Sequence, residues 1–318
     1  MKKILITGAS GFVGIHLTTY LLKNKNYQIF GTHFGGSENI NKLLKKNHLI
    51  PLNLLKSTDT KNVIQKIKPD WIIHLAALSS ASDSFKNPQQ TLTNNTVAQL
   101  NLLDALVGLK LKPKILVIGS AEEYGIVKKS ESPVKETNPL RPLSPYAVSK
   151  ITQDYLGLQY YMTYKIPIIR LRPFNHVGEG QRPQFVLPAF SKQIAEIEAG
   201  IKDYMMVVGD LSPIRDFTDV QDICIAYELA LKHCQPGEVY NIGTGRPTPV
   251  KQLLNILLSL TTTKVKIKKD PSKFRPADVK ILVADASKFK KTTGWKPTIA
   301  LEETVKRVLN YWREQIKK

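Results

Sequence analysis

The chain has 318 residues and a formal net charge of +20 at pH 7, with 42% hydrophobic and 23% charged residues. This composition is close to that of ordinary globular proteins, and it excludes a chain that is disordered as a whole. No run of 18 uncharged apolar residues is present, which excludes a membrane-spanning helix, and the N-terminus lacks the apolar stretch of a signal peptide. We expect a cytoplasmic protein with one large domain or two closely joined ones.

The positive charge is spread along the chain rather than gathered in one basic arm. The densest run of Lys lies at 264–269, where Lys alternates with Val265 and Ile267, and this alternation predicts a strand with one solvated face. Dispersed Lys residues are typical of a solvated surface. We therefore expect neither nucleic acid nor a membrane as a partner. The positive field would instead speed the capture of small anionic ligands.

The two cysteines, Cys224 and Cys234, lie in an apolar stretch of helical character. Their number and spacing fit neither a zinc site nor a disulfide framework. We expect two buried thiols and no bound metal.

Short apolar runs alternate with stretches of helical periodicity in the first half of the chain. Predicted strands lie at 3–7, 28–32, 48–52, 71–75, 115–119 and 167–172. Predicted helices lie at 12–22, 63–67, 91–106 and 146–164. Such alternation predicts a parallel sheet covered by helices on both faces, with right-handed connections.

The pattern changes after residue 172, where Pro and Gly become frequent. Predicted helices follow at 185–200, 220–232, 250–260 and 301–315, with short strands at 205–208 and 239–241. This half predicts a smaller mixed α/β lobe packed on the carboxyl edge of the sheet. Because no flexible linker separates the two halves, we expect them to share one cleft.

A glycine-rich loop, Thr-Gly-Ala-Ser-Gly-Phe-Val-Gly at 7–14, lies between the first predicted strand and the first predicted helix. Gly8 permits a tight turn, Gly11 lets the backbone approach a pyrophosphate, and Gly14 lets the helix pack close to the strand. The helix N-terminus then presents N–H groups to the phosphate charge. The loop predicts a dinucleotide site, with further contacts from Ser10, Phe12 and Val13.

The end of the second predicted strand, Phe30-Gly-Thr-His-Phe34, bears on the choice of cofactor. NAD-selective sites place a carboxylate here for the ribose 2′-hydroxyl. This segment has none, so a 2′-phosphate would meet no repulsion, although no Arg is present to bind it. We predict NADP(H), with NAD(H) accepted and Thr32 beside the ribose.

Tyr146 and Lys150 are four residues apart at the start of a predicted helix, so their side chains share one face. The pKa of a free tyrosine is about 10, which makes it a poor acid–base group at neutral pH. A neighbouring ammonium favours the phenolate, and we expect Lys150 to lower the pKa of Tyr146. The spacing alone also fits an ordinary pair on a surface helix.

Two strand ends add to this pair. Ser120 follows the fifth predicted strand, so its hydroxyl lies at the carboxyl edge, where ligands of open α/β sheets bind. His74 ends the fourth strand, and Ala76 and Ala77 after it would let a cofactor lie close. We interpret His74 as a core histidine rather than a catalytic one.

The loop at 7–14, the run at 74–77, Ser120 and the Tyr146/Lys150 pair, in this order, resemble the extended short-chain dehydrogenase/reductase family. That family includes nucleotide-sugar epimerases, dehydratases and reductases. The resemblance covers essentially the whole chain. It implies an α/β fold with a Rossmann-type doubly wound parallel sheet in residues 1–172. It further implies a smaller mixed α/β lobe in residues 173–318 that mainly binds the nucleotide sugar, with some segments returning to the first domain.

Motifs in the second half narrow the resemblance. They read Arg-Pro-Phe-Asn-His-Val-Gly at 172–178, Gly-Gln-Arg-Pro at 180–183, Arg-Asp-Phe-Thr-Asp-Val at 215–220, and Arg-Pro-Ala-Asp-Val at 275–279. Together with Glu-Glu-Tyr-Gly at 122–125 and the run 192–198, they are similar to GDP-4-keto-6-deoxy-D-mannose reductases, which make GDP-D-rhamnose. The implied partner is a GDP-linked sugar, and the implied assembly is a homodimer.

The resemblance also assigns residues. Asn95 stands where the family has a structural Asn, and Asn53 with Leu54 replaces the usual Asp beside the adenine. Further cofactor contacts are expected from Leu75, Ala76, Ala77, Tyr146, Lys150 and Pro173. Substrate contacts are expected from Ser79, Ser80, Glu122, Asn175, Lys192, Arg215, Arg275 and Asp278. The Arg residues suit a diphosphate through paired, charge-assisted hydrogen bonds, although Arg215 could instead form surface ion pairs with Asp216 and Asp219.

The resulting hypothesis is hydride transfer from a reduced nicotinamide to C4 of a keto sugar. Tyr146 would donate the proton, Ser120 would steady the oxygen, and Lys150 would hold the nicotinamide ribose and tune Tyr146. Glu122 leaves a second reading open, because dehydratases carry a Glu at this place. The alternatives are a 4-epimerase, a dehydratase of the GDP-mannose type and, in a different class, a non-catalytic NADP-sensing protein.

Overall fold

The computed structural model describes residues 1–36, 38–274 and 279–317. Fourteen strands are described: β1 Lys2–Thr7, β2 Tyr27–His33, β3 Leu49–Pro51, β4 Trp71–His74, β5 Lys114–Ile118, β6 Ile168–Pro173, β7 Asn175–Val177, β8 Met205–Val208, β9 Ile214–Arg215, β10 Phe217–Asp219, β11 Val239–Ile242, β12 Thr248–Pro249, β13 Lys266–Lys269 and β14 Ile281–Leu282.

Ten α-helices are described between and after these strands. They are α1 Phe12–Leu21, α2 Ser57–Ile67, α3 Ala81–Lys86, α4 Pro88–Gly108, α5 Pro145–Tyr164, α6 Val186–Glu198, α7 Val220–His233, α8 Val250–Ser259, α9 Ser287–Thr293 and α10 Leu301–Ile316. Within the described ranges, no helix combines the length and the apolar character needed to cross a membrane.

A seven-stranded sheet in the order β11-β6-β5-β4-β1-β2-β3 forms the centre of the fold. Every neighbouring pair in it is parallel. The central strands read as nearly continuous apolar runs because both faces of the sheet are covered. The predicted doubly wound α/β fold is confirmed.

The two faces of the sheet have separate hydrophobic cores. On one face, Ile4, Ile6 and Ile73 pack with α1 and α7. On the other face, alternate residues such as Leu5 and Ile72 pack with α2, α4 and α5. This period-two alternation gives each face its own core. Because all seven strands are parallel, their carboxyl ends lie at one edge of the sheet, where the candidate site lies.

A second lobe forms its own core from α6, α8, α10 and the strands β8 and β10. The segment from Val220 to Ile242 does not belong to this lobe. Helix α7 packs on the sheet face shared with α1, and β11 pairs with β6 in parallel register, Tyr240 opposite Leu171. The seventh strand of the sheet therefore comes from the part of the chain after residue 172. It forms hydrogen bonds with the backbone groups on the outer side of β6.

The strand predicted in the Lys-rich run exists, but the expectation of one solvated face was wrong. β13 pairs with β8 in a two-stranded parallel ribbon, and all four residues Lys266–Lys269 are exposed. Ile267 is 39% exposed because the ribbon lies over the surface of the lobe. The two cysteines, by contrast, are free and buried as predicted.

Candidate active site

The glycine-rich loop has the geometry of a dinucleotide cradle. Gly8 has a φ of +70°, and a Cβ there would lie 2.9 Å from Cα of Ala76. A Cβ at Gly14 would lie 2.5 Å from the carbonyl oxygen of Gly8. Gly11 begins α1 with no side-chain cap, so the first N–H groups of the helix point at the space above the loop. Glycine at positions 8 and 14 therefore lets the loop, α1 and the segment after β4 pack this closely.

The end of β2 borders a cavity of about 370 Å³. Thr32 is buried, and its carbonyl oxygen accepts a hydrogen bond of 2.8 Å from N–H of Ala9 in the glycine loop. The next residue, His33, lines the cavity together with Asn41, Leu44, Lys46, Leu49 and Pro51. The cavity is thus one strand away from the glycine loop and has a cationic side chain in its wall.

The other residues predicted to hold the cofactor lie at the same edge. Leu75, Ala76 and Ala77 follow β4 and are half-buried. Asn53 accepts a hydrogen bond from N–H of Leu55 at 3.0 Å, so its amide oxygen shapes its own turn. Leu54 is buried in a small core with Leu52 and Ala98, which places its side chain in packing rather than in the cleft. Pro173 is buried at the end of β6.

Asn95 has the structural role that we predicted for it. Its side-chain oxygen accepts from N–H of Leu78 at 2.8 Å, and its amide donates to the carbonyl of Leu78 at 3.0 Å and to Oγ of Ser149 at 2.9 Å. The loop after β4 is thereby fixed to α5, the helix that carries the Tyr/Lys pair.

Helix α5 begins at the carboxyl edge of the sheet. Ser144 caps it by accepting from N–H of Ala147 at 3.1 Å, and Pro145 occupies the first turn. Tyr146 is 8% exposed and Lys150 is 5% exposed. The pair is therefore buried at a ligand-binding edge, which an ordinary pair on a surface helix would not be.

The expectation that Lys150 lowers the pKa of Tyr146 was wrong. The Lys150 ammonium donates to the carbonyl of Ile118 at 2.8 Å and to Oε1 of Gln153 at 2.9 Å. It lies 5.9 Å from the centroid of the Tyr146 ring. Burial raises the pKa of Tyr146, and it lowers the pKa of Lys150 to about 8. In this geometry desolvation outweighs the charge of the ammonium.

Ser120 provides the hydroxyl predicted at the end of β5. It faces Tyr146 and lowers the pKa of Tyr146 against the effect of burial. The Ser120 Oγ also accepts from N–H of Glu122 at 3.1 Å. The charge of Glu122 acts on Tyr146 in the opposite direction, raising its pKa. Ser120, Tyr146 and Glu122 therefore meet at one point.

A buried ionic network behind Ser120 was missed by sequence reasoning. Glu123 is completely buried, and its Oε1 accepts from N–H of Ser120 at 2.7 Å. Its Oε2 lies 2.9 Å from Nε of Arg172, which also pairs with Asp154. The signal that could have found the network is the continued spacing of four from Tyr146 through Lys150 to Asp154.

His74 is a buried histidine, as interpreted from the sequence. Its Nδ1 is 2.8 Å from Oγ1 of Thr7, and burial lowers its pKa to about 3, aided by the charge of Lys150. Among the described residues, Nε2 of His74 has no hydrogen-bond partner. The ring is neutral at pH 7 and faces the side of the sheet covered by α4 and α5.

The residues predicted to contact substrate are only partly brought together. Ser80 caps α3 and accepts from N–H of Asp83 at 3.1 Å, while Ser79 beside it is exposed. Asn175 begins β7, two residues after Pro173, which ends β6 at the carboxyl edge. Arg275 and Asp278 lie outside the described residues.

Lys192 and Arg215 differ in their surroundings. Lys192 lies 3.6 Å from Glu196 and over the Trp312 ring at 5.7 Å, contacts that occupy its ammonium on the outside of the second lobe. Arg215 is only 6% exposed, which is at odds with the alternative of surface ion pairs. The carboxylate of Asp216 instead binds the turn at 244–245.

Comparison with known proteins places this geometry in a family. The model of the family described as GDP-mannose 4,6 dehydratase matches residues 5–308. The chain belongs to this family. This match confirms the resemblance to the extended short-chain dehydrogenases/reductases and the expectation that the chain is an enzyme.

Within the described residues, no group of three His, Cys, Asp or Glu side chains could hold a metal ion.

One curated protein and two solved structures show which enzymes this chain resembles. The GDP-6-deoxy-D-mannose reductase of Pseudomonas aeruginosa is 32% identical, with 99% of each chain covered. The solved structure of RMD from Pseudomonas aeruginosa complexed with NADPH has a TM-score of 0.88 and 30% identity, covering 99% of this chain and 100% of that one. UDP-glucuronic acid 4-epimerase from Bacillus cereus, complexed with UDP-glucuronic acid and NAD, has a TM-score of 0.87 and 31% identity, covering 98% and 99%.

Proposed function

We propose that this family member reduces the C4 ketone of a GDP-4-keto-6-deoxy-hexose, converting GDP-4-keto-6-deoxy-D-mannose to GDP-D-rhamnose with a reduced nicotinamide cofactor. The observation that carries the proposal is the proximity of Ser120 and Tyr146 at the carboxyl edge of the sheet, beside the glycine loop. Two hydroxyls that converge there can hold and protonate one carbonyl oxygen. The full-length likeness to a GDP-6-deoxy-D-mannose reductase supports the choice of substrate.

Tyr146, Ser120 and Lys150 have separate roles in the proposed reaction. The bound cofactor supplies the hydride. Tyr146 donates its proton to the oxygen of C4, and its raised pKa keeps it protonated and ready to donate at neutral pH. Ser120 donates a hydrogen bond to the same oxygen as negative charge develops there. Lys150, held by Ile118 and Gln153, would bind the nicotinamide ribose.

NADP(H) is proposed as the preferred cofactor, with NAD(H) accepted. The cavity borders the end of β2, and Lys46 in its wall would attract the 2′-phosphate of a bound NADP(H). No carboxylate of the segment 30–34 opposes it. The NADPH in the solved structure of RMD agrees with this preference, whereas the NAD in the epimerase structure marks the alternative.

The nucleotide sugar is proposed to lie between the sheet edge and the second lobe, with Asn175 and Arg215 among its contacts. Glu122 would contact the sugar because it stands beside Tyr146. Lys192 is a weaker candidate, since its ammonium already contacts Glu196 and Trp312. A cytoplasmic location stays a prediction from the sequence.

A homodimer is proposed through the outer face of α5. Tyr155 is 54% exposed and Met162 is 59% exposed on this helix, and Val148, seven residues before Tyr155, extends the same exposed apolar surface. Exposed apolar side chains on one helix are typical of a surface that a second copy covers.

The test is incubation of the protein with GDP-4-keto-6-deoxy-D-mannose and excess NADPH, with the product identified by mass and by NMR. We expect one NADPH oxidised for each sugar reduced. Absence of net NADPH oxidation with this ketone would instead favour the alternatives, in which Glu122 would act as acid or base. Loss of water from GDP-mannose would then identify a dehydratase, and inversion of a C4 hydroxyl in a GDP-hexose would identify an epimerase. Thermal shifts with equal concentrations of GDP, UDP and dTDP would identify the nucleotide, because the ligand that binds the native state most tightly stabilises it most.

A further inference from the structure

The turn that presents Ser120 is held from behind by a buried carboxyl group. Oε1 of Glu123 accepts from N–H of Ser120 at 2.7 Å, and the side chain of Glu123 has no exposed surface. A Cβ on residue 119 would collide with this oxygen, so glycine at that position makes room for it. Ser120 Oγ is held on its other side by N–H of Glu122. The serine is therefore fixed through both its main chain and its side chain.

The same carboxyl group connects the Ser120 turn to the catalytic helix. Oε2 of Glu123 lies 2.9 Å from Nε of Arg172 on β6, and the guanidinium of Arg172 lies 2.7 Å from Asp154 on α5. Asp154 is one turn beyond Lys150 and two turns beyond Tyr146, on the same face of α5. The distance between the Ser120 hydroxyl and the Tyr146 hydroxyl thus depends on this chain of contacts.

The groups that face Glu123 determine its protonation. From α5 it meets Asp154, Tyr146 and Lys150; from β6 it meets Arg172, with Arg170 beyond Asp154; from its own turn it is followed by Tyr124. Burial and the neighbouring Asp154 raise the pKa of Glu123, whereas Arg172 lowers it, and the result is about 8. At pH 7 the group is then neutral, with one oxygen to accept from Ser120 and one hydroxyl to donate to Asp154.

Resting on the proposed function, we propose that Glu123 is a positioning residue that holds Ser120 in register with Tyr146, because its Oε1 accepts from N–H of Ser120 and its Oε2 contacts Arg172. A neutral carboxyl can accept from N–H of Ser120 and also donate to Asp154. A carboxylate has no proton to donate, and Asp154 is itself an anion. Ionisation of Glu123 would set two buried carboxylates against each other and loosen the link to α5.

Two substitutions test the length of the Glu123 side chain and its charge separately. Glu123→Gln keeps the length and offers the same acceptor and donor as a protonated carboxyl, so Ser120 and Asp154 keep their partners. Glu123→Asp keeps the acid but draws the acceptor one methylene away from Ser120. Glu136→Gln is the matched control, because Glu136 accepts from N–H of Asn241 at 2.8 Å in the same region without touching Ser120.

With the keto sugar and NADPH, we expect Glu123→Asp to lower kcat by about 100-fold with little change in the KM of either ligand, since a displacement near 1 Å is enough for that loss. Glu123→Gln should stay within about fivefold of the wild type at pH 7. It should also lose less activity than the wild type as the pH rises through 8. Wild-type kcat in Glu123→Asp, or equal losses in both variants, would overturn the proposal. If Glu123→Asp does not fold, the pH comparison decides alone: identical profiles for the wild type and Glu123→Gln would reject it.

Amide hydrogen exchange at Ser120 distinguishes this proposal from the proposed function itself. Exchange in Glu123→Asp should be faster than in the wild type by about tenfold, and in Glu123→Gln nearly unchanged, whatever the substrate. Absence of NADPH oxidation by the wild type would reject the reductase function and leave the exchange result standing. Unchanged exchange in Glu123→Asp would reject the positioning role even in an active reductase.

Discussion

Lys150 lies one helical turn from Tyr146, with its ammonium 5.9 Å from the centroid of the tyrosine ring and 2.8 Å from the carbonyl oxygen of Ile118. The ammonium is thus anchored to the end of β5 rather than to the phenol. Tyr146 keeps a raised pKa and lies beside Ser120. This division supports the proposal that Tyr146 donates the proton and Lys150 positions the ligand.

Removal of the Tyr146 hydroxyl should abolish most of the catalytic rate. In Tyr146→Phe we expect kcat to fall by about 10²–10⁴-fold, the usual contribution of a general acid. The Kd for NADPH, measured by cofactor fluorescence, should stay nearly the same because the glycine loop is untouched. A variant with near-wild-type turnover would show that another group donates the proton.

Insertion of a methyl group into the glycine loop should block the cofactor. Gly8→Ala forces a side chain into the left-handed region at a φ of +70° and against Ala76, so we expect a lower Tm and an NADPH affinity reduced by about tenfold or more. Gly108→Ala is the control. A Cβ at residue 108 meets nothing within 4 Å, and alanine at the end of α4 should leave the Tm unchanged or slightly higher.

The cavity beyond β2 predicts a charge-dependent choice of cofactor. Lys46→Glu places a carboxylate in the wall of the cavity, and we expect the Kd for NADPH to rise by about tenfold while that for NADH changes little. Lys61→Glu, an exposed position on α2 outside the cavity, carries the same change of net charge as a control. Equal effects of both substitutions on both cofactors would contradict a 2′-phosphate site there.

His74 predicts a component of acid denaturation. Its pKa is about 3 in the folded state and about 6.5 when unfolded, so the unfolded chain binds the proton first as the pH falls. The free energy of unfolding should therefore be unaffected by His74 above pH 6.5. Below it, the loss should be about 1.4 kcal/mol for each pH unit until about pH 3.

His74→Asn tests this component, since its amide oxygen can still accept from the Thr7 hydroxyl and does not titrate. The Tm of the variant, followed from pH 8 down to pH 4, should decline less steeply than that of the wild type. Parallel curves would mean that other groups account for the whole acid response.

Much of the fold and part of the site follow from local sequence patterns. The glycine loop at 7–14 and the Tyr146/Lys150 turn were predicted because each depends on residues within one turn or one strand-to-helix junction. The alternation of strands and helices up to residue 172 predicted the parallel sheet for the same reason. A strand such as β11 could be predicted as a strand but not placed in the sheet, because its partner β6 lies about 70 residues earlier in the chain.

The sequence by itself determined the order of elements, the dinucleotide loop and the set of Ser120, Tyr146 and Lys150. Only the tertiary structure decided that Glu123, Asp154 and Arg172 meet behind Ser120, that burial outweighs the ammonium at Tyr146, and that the Lys-rich strand is exposed on both faces. The physical reason is the same in each case. Contacts, desolvation and exposure depend on which distant segments pack together, and a local pattern carries no record of that packing.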